Sequence, residues 1–159
     1  MRKILYIDMD GVVADFAGAI NDLDPSIDMS NSLENWQERA DKVDELCQIH
    51  CEIFRYLDVI EGAKEAVEKL NEKYDIYFLS TPMWELPHSF MGKRIWLEET
   101  FGDLARKKLI LTHRKDLVIG DILIDDTIRN GAGDFKGELI TFHKETNNWS
   151  HILKYLLNN

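Results

Sequence analysis

Apolar residues along this chain fall into two patterns: short unbroken runs, and longer stretches in which they recur every three or four positions. Ile4 to Ile7 is a run of the first kind, closed by Asp8. Asp75 to Leu79 is a second, closed by Ser80-Thr81-Pro82, and Lys108 to Leu111 is a third, ending at Thr112. Ile122 to Ile124 is a fourth, closed by Asp125-Asp126, and Leu139 to Phe142 is a fifth. Runs of this length bounded by polar residues predict buried strands. Between them, Ala63, Ala66, Val67 and Leu70 recur at helical spacing. Phe90, Arg94, Leu97 and Phe101 predict the inner side of another helix, ending at Gly102. Trp149, Ile152, Leu153, Leu156 and Leu157 predict a last amphipathic helix, with Asn147 or Asn148 as its cap. Strands alternating with helices predict an α/β fold built on a parallel sheet of about five strands.

One stretch breaks the alternation. About 45 residues separate the first strand from the Ala63 helix, too many for a structureless loop in a compact domain. Helical patterns run from Phe16 to Leu23 and from Trp36 to Tyr56, joined by a polar piece from Asp24 to Asn35. Residues 16–60 therefore read as a small helical cap over a core made of residues 1–15 and 61–159, with hinges near Asp15 and near Ile60-Glu61-Gly62. Phe54 and Tyr56 are candidates for stacking on a flat ligand but read first as core aromatics of this insert, and Cys47 and Cys51 read as inert helical thiols in a reduced compartment. His50 stands off the face that the two cysteines share, and no second Cys/His pair follows at zinc-finger spacing.

Composition narrows the function classes. With 159 residues the chain is long enough for one domain, and 45% hydrophobic with 30% charged residues is ordinary for a soluble globular protein. The net charge of −10 repels phosphate backbones and argues against binding a nucleic-acid polymer. It leaves room for a small anionic ligand at a locally positive or metal-bearing site. No apolar run approaches the ~18 residues of a membrane helix. Arg2-Lys3 precede an apolar run, but Asp8 stops it far short of a signal peptide, so a cytoplasmic location is expected. The sequence is compatible with a homodimer and does not require one.

The predicted strand ends carry the chemistry. In an extended strand end, residues two apart point the same way, so Asp8 and Asp10 share a side and Gly11 lets the chain turn. Ligands in open α/β sheets bind beyond the carboxyl ends of the strands, where Ser80 and Asp125-Asp126 also arrive. Carboxylates so crowded repel one another unless a cation lies among them. A hard divalent ion such as Mg²⁺ suits that oxygen-only set.

Together these residues resemble the haloacid dehalogenase (HAD) superfamily of phosphohydrolases, whose four motifs stand here in order. They are Ile4-Leu5-Tyr6-Ile7-Asp8-Met9-Asp10-Gly11, Ile76-Tyr77-Phe78-Leu79-Ser80, Lys115, and Ile122-Leu123-Ile124-Asp125-Asp126. The resemblance implies a Rossmann-like core. It implies Asp8 as nucleophile, and Asp10 as the acid and then base serving leaving group and water. It implies Mg²⁺ held by Asp8, the Asp10 carbonyl and Asp126, with Asp125 beside them. Ser80 and Thr81 would contact phosphate, and Lys115 would neutralise its charge.

Asp8 to Phe16 further resembles the opening of the 5'(3')-deoxyribonucleotidases, a branch of that superfamily. Ser80-Thr81-Pro82, the helix Lys93-Arg94-Ile95-Trp96-Leu97 and the stretch from Leu109 to Asp126 fit the same branch. The resemblance implies a nucleoside monophosphate as substrate, with Phe16 packing on base or sugar and Lys93 among the substrate contacts. Trp36 is a candidate for stacking on the base and equally for the core, and Trp84 is a candidate for the pocket rim. His113 and Arg114 depart from the residues usual before the motif lysine in that branch. Beside this reading stand a catalytically idle binding protein, against which the intact Asp8, Asp10, Ser80, Lys115 and Asp126 argue, and two further alternatives. One is a HAD phosphatase for sugar phosphates or other metabolites. The other is a receiver-like phospho-Asp domain, whose phosphoacceptor would lie on a later strand than its acidic pair, the reverse of the order here.

Overall fold

The computed structural model describes residues 1–30 and 34–158. Residues 31–33, in the middle of the polar piece between the two expected cap helices, lie outside the described residues. Five strands, β1 (Ile4–Ile7), β2 (Asp75–Ser80), β3 (Leu109–Leu111), β4 (Ile122–Asp125) and β5 (Glu138–Thr141), form one sheet. Its order is β3-β2-β1-β4-β5, and every pairing is parallel. The expected runs match these strands to within a residue at each end. The helices are α1 (Phe16–Leu23), α2 (Trp36–Ile49), α3 (Ala63–Lys73), α4 (Pro87–Phe101) and α5 (Trp149–Asn158). Among the described residues, no helix is long and apolar enough to cross a membrane.

The apolar runs are continuous because both faces of the sheet are covered. Leu5, Ile7, Ile76, Phe78, Ile122 and Ile124 point into a large cluster shared with α3, α4 and α5. Tyr6, Leu79 and Leu123 point the other way, into a small cluster closed by Ala132 and Phe135. Alternate residues of one strand thus enter different cores. α3 buries Ala63, Ala66, Val67 and Leu70, the face its spacing predicts. Asn148 Oδ1 accepts from the His151 amide, so Asn148 rather than Asn147 is the α5 cap.

α4 buries Leu97 and Phe101 of its expected face but not the rest of it. It buries Ser89, Gly92, Lys93, Trp96, Leu97 and Phe101, whereas Arg94 is exposed. The reason is its partner: α4 packs on the short 3-10 turn Ile53–Arg55 of the insert. An ideal Cβ on Gly92 would stand 3.0 Å from Phe54 Cβ and 3.2 Å from the Arg55 amide nitrogen. Small residues and a paired lysine, not the apolar Phe90, suit so close an approach.

The insert is anchored where it leaves and re-enters the core. Ala14 and Val59 form an antiparallel bridge, flanked by Asp15 N–H donating to the Asp58 carbonyl and Ile60 N–H donating to the Val13 carbonyl, each at 2.8 Å. Two buried indoles hold these strands to the helices. Trp149 Nε1 donates to the Val12 carbonyl and Trp96 Nε1 to the Leu57 carbonyl, both at 2.7 Å. Ile20, Ile27, Cys47, Phe54, Leu57 and Ile60 of the insert belong to the same large cluster as the sheet. Tyr56, expected in the core, is instead 67% exposed, because the 3-10 turn directs Phe54 inward and leaves Tyr56 outside.

Candidate active site

β1 lies at the centre of the sheet, and the chain reverses immediately beyond it. The Asp8 amide continues the ladder to the Ile124 carbonyl at 2.9 Å. The amides of Val12, Val13 and Ala14 all converge on the Met9 carbonyl. Gly11 sits in this turn at φ +78°, and a Cβ there would come within 2.3 Å of Asp126 Oδ2. Glycine is required both by the backbone conformation and by the carboxylate that fills the place of its side chain.

Four carboxylates and two ammonium groups meet beyond the strand ends. From the 3-10 turn Lys115–Leu117, Lys115 Nζ donates to Asp8 Oδ1 at 2.8 Å and to Asp125 Oδ2 at 2.6 Å. From α4, Lys93 Nζ donates to Asp10 Oδ2 at 2.6 Å and to Ser80 Oγ at 3.0 Å. The Lys93 and Lys115 side chains are only 1% and 4% exposed. Asp125 is fully engaged, its other oxygen accepting from the Thr127 amide at 3.0 Å. Asp10 is different: its Oδ1 is buried and has no hydrogen-bond partner among the described residues. Asp8 and Asp10 are therefore neighbours with separate cations rather than a matched pair.

The electrostatics follow from crowding in a nearly dry space. Burial pushes Asp8 up to about 7; Lys115 opposes the shift, and Asp125 and Asp10 add to it. Burial likewise pushes Asp126 up to about 8, with Asp8 and Asp125 adding to it. Burial alone would depress the Lys115 ammonium, but Asp8 and Asp125 together outweigh it and hold it above its ordinary value. With every group ionised, the four carboxylates exceed the two ammoniums by two negative charges, the charge of one divalent cation. Asp8, Asp125 and Asp126 each offer a carboxylate oxygen, and these oxygens lie within 4.8 Å of one another. An all-oxygen donor set, that charge excess and the glycine cradle around Asp126 fit a hard ion such as Mg²⁺.

The structure brings Asp8, Asp10, Ser80, Lys93, Lys115, Asp125 and Asp126 together. Thr81 is adjacent, but its hydroxyl is donated to the Thr112 carbonyl at 2.8 Å and braces the loops after β2 and β3. Phe16 is half-buried and stacks on Phe54, with centroids 5.2 Å apart and planes 11° from parallel. Trp36 is exposed and stands outside the apolar clusters. It begins α2, 54% exposed, eleven residues and about 16 Å along the helix axis from Cys47. Cys47 is the α2 residue that reaches inward: burial pushes its thiol up to about 12, and it lies close enough to feel Asp10 and Lys93. Trp84 is 74% exposed, edge-to-face with His113 and Phe90. Its loop is tied to the insert by Gln48 Nε2, which donates to the Glu85 carbonyl at 3.2 Å. Sequence reasoning missed the depth of Lys93 and its link to Asp10. The signal available was the small Ser89 and Gly92 on the same helical face.

Residues 2–156 match the family model described as 5' nucleotidase, deoxy (pyrimidine), cytosolic type C protein. A relative from Vibrio phage KVP40, provisionally named a 5'(3')-deoxyribonucleotidase, is 41% identical over 98% of this chain and 85% of its own length. The 5'(3')-deoxyribonucleotidase of Bacillus subtilis is 30% identical over 99% of this chain and 100% of its own. A HAD hydrolase structure from Bacillus subtilis, bound to magnesium, superposes with a TM-score of 0.58 at 12% identity. It covers 91% of this chain and 88% of its own, a likeness of fold. The chain belongs to the deoxy (pyrimidine), cytosolic type C family of 5' nucleotidases.

Proposed function

We propose that this chain hydrolyses the phosphate monoester of a deoxynucleoside monophosphate through a phosphorylated Asp8. The observation that carries the reading is the meeting of Asp8, Asp10, Ser80, Lys115, Asp125 and Asp126 at the carboxyl edge of one sheet, with Asp8, Ser80, Lys115 and Asp125 buried and Asp10 and Asp126 partly exposed. An Asp8 carboxylate oxygen attacks phosphorus while the bond to the sugar oxygen breaks. The departing oxygen takes a proton from Asp10 through Oδ1, the oxygen without a partner among the described residues, since Oδ2 is held by Lys93. Water then attacks the aspartyl-phosphate and gives its proton to Asp10. Inorganic phosphate leaves and both carboxyls return to their starting state.

Lys115 holds Asp8 in place and stabilises charge gathering on the phosphoryl oxygens. Ser80 accepts from Lys93, which leaves its own hydroxyl proton for a phosphate oxygen. Asp8, Asp126 and the Asp10 carbonyl would hold Mg²⁺. Asp125 serves mainly to fix Lys115, since both its oxygens are taken by protein donors. When bound, the ion cancels the repulsion between the Asp8 carboxylate and a phosphate dianion. Residues 16–60 act as a cap that closes over the site, and the half-buried Phe16 supplies an apolar surface for base or sugar.

The test is phosphate release from deoxynucleoside, ribonucleoside and sugar monophosphates side by side, with Mg²⁺ and with EDTA. The expected result is metal-dependent release that favours deoxynucleotides. Release from sugar phosphates alone would discard the nucleotide assignment, and no release from any ester would discard the phosphatase reading.

A further inference from the structure

Phe54 of the insert reaches the lysine that pairs with Asp10. Phe54 is 2% exposed, stacks on Phe16 and has the Lys93 ammonium over its ring. Lys93 Nζ stands 5.0 Å from the Phe54 ring centroid while it donates to Asp10 Oδ2 and Ser80 Oγ. An ammonium over an aromatic face is attracted by the ring quadrupole, most strongly where water is excluded. The ring thus supplies a third, non-ionic contact that limits where Lys93 can sit. Gly92 makes that placement possible, since any side chain there would meet Phe54 and the Arg55 backbone.

We infer that Phe54 is a positioning residue: its ring fixes the Lys93 ammonium between Asp10 and Ser80, and so aims two groups of the reaction from the inserted segment. The inference rests on the phosphatase reading above and adds a role for a residue buried too deeply to be a primary base contact. A side chain that only lined a base pocket would matter for nucleotides alone. A side chain that holds Lys93 matters for every phosphate ester, because Asp10 and Ser80 serve the phosphoryl group and not the base.

The experiment compares the full chain with Phe54→Leu, Phe54→Tyr and Gly92→Ala. kcat and KM are measured for a deoxynucleotide and for p-nitrophenyl phosphate, which has no nucleobase. In parallel, NMR of the assigned Lys93 ε-methylene reports its ring-current shift. Phe54→Leu is expected to lower kcat about tenfold on both substrates, with KM within about twofold. It should also move the ε-methylene resonance towards that of an ordinary lysine. Phe54→Tyr, which keeps an aromatic face, is expected to restore both. Gly92→Ala should lower kcat in the same direction by pressing the 3-10 turn away from α4, without altering any group at the site; it decides the matter if Phe54→Leu fails to fold. Unchanged kcat in folded Phe54→Leu, or a loss confined to KM for the nucleotide, overturns the inference. If wild type releases phosphate from neither substrate, the phosphatase reading fails separately. The Lys93 resonance then decides the positioning role alone: shifted in wild type and lost in Phe54→Leu, or the same in both and the role is rejected.

Discussion

The strand ends and the inserted segment face each other across the site and hold their shape by opposite physics. At the strand ends, acidic groups are forced into a space that burial makes hostile to them. Asp8 and Asp126 are both pushed well above the ordinary carboxylate range. Their positions come from the backbone ladder and the turn at Gly11, and their mutual repulsion lowers the stability of the metal-free chain. In the insert, Ile20, Ile27, Cys47, Phe54, Leu57 and Ile60 gain stability by burying apolar surface against the sheet. The first region carries chemistry at the expense of stability, and the second carries stability and shape. Substitutions should therefore separate activity from stability differently on the two sides.

The largest separation is expected at Asp8. Asp8→Asn should lower phosphate release by roughly 10⁴-fold or more, because the nucleophile is gone. The same variant should melt no lower than the metal-free wild type. Lys115 keeps its 2.6 Å partner Asp125, and one of the crowded negative charges is removed. Activity assays and a thermal melt in EDTA check both halves. A variant that melts well below wild type would show that Asp8 stabilises the fold, and the contrast between the two regions would collapse on that side.

The same contrast explains what could be read from the sequence. Asp8, Asp10, Ser80, Asp125 and Asp126 each end or follow an apolar run, and parallel strands bring their carboxyl ends to one edge. Strand periodicity therefore predicts their meeting from local information. Lys115 was legible through its motif position ahead of β4. Lys93 and Phe54 were harder. Lys93 lies 83 residues from Asp10, and a buried lysine contradicts the apolar periodicity that assigned Phe90 and Arg94 to the inner face of α4. Its burial makes sense only once its partner is known. Trp36 and Tyr56 stay out of the core for the complementary reason. Aromatic residues are common inside, but these two stand where a helix begins and where a 3-10 turn ends, and both point to solvent.

A smaller effect, on stability alone, should appear on titration. A carboxylate whose folded-state pKa is raised favours the folded state fully only below its unfolded value of about 4, and that advantage fades as pH rises through the folded value. For Asp8 the loss accumulates from about 4 up to about 7, and for Asp126 up to about 8. The metal-free protein should therefore melt lower at pH 8 than at pH 5.5. Mg²⁺ requires the ionised carboxylates, so it should raise the melting temperature more at pH 8 than at pH 5.5. A difference of about 3 °C, near what 1 kcal/mol produces in a chain of this size, is the scale to resolve. Equal Mg²⁺ effects at the two pH values would mean that these carboxylates do not hold the ion.

The smallest effect is expected at the exposed end of the insert, where Trp36→Ala tests whether the apolar region is uniform in purpose. Trp36 is absent from the apolar clusters and half exposed, so truncating it should change stability by no more than about 0.5 kcal/mol. Because α2 carries it some 16 Å along the helix axis from Cys47, kcat and KM for a deoxynucleotide should stay within about twofold. Phe16 is the control, since it lies in the same insert but stacks on Phe54 beside Lys93. Phe16→Ala should raise KM for the nucleotide and leave KM for p-nitrophenyl phosphate nearly unchanged. If Trp36→Ala instead raises the nucleotide KM as much as Phe16→Ala does, the insert must fold over far enough during turnover to bring the start of α2 to the base. Its exposed aromatic would then belong to the site after all.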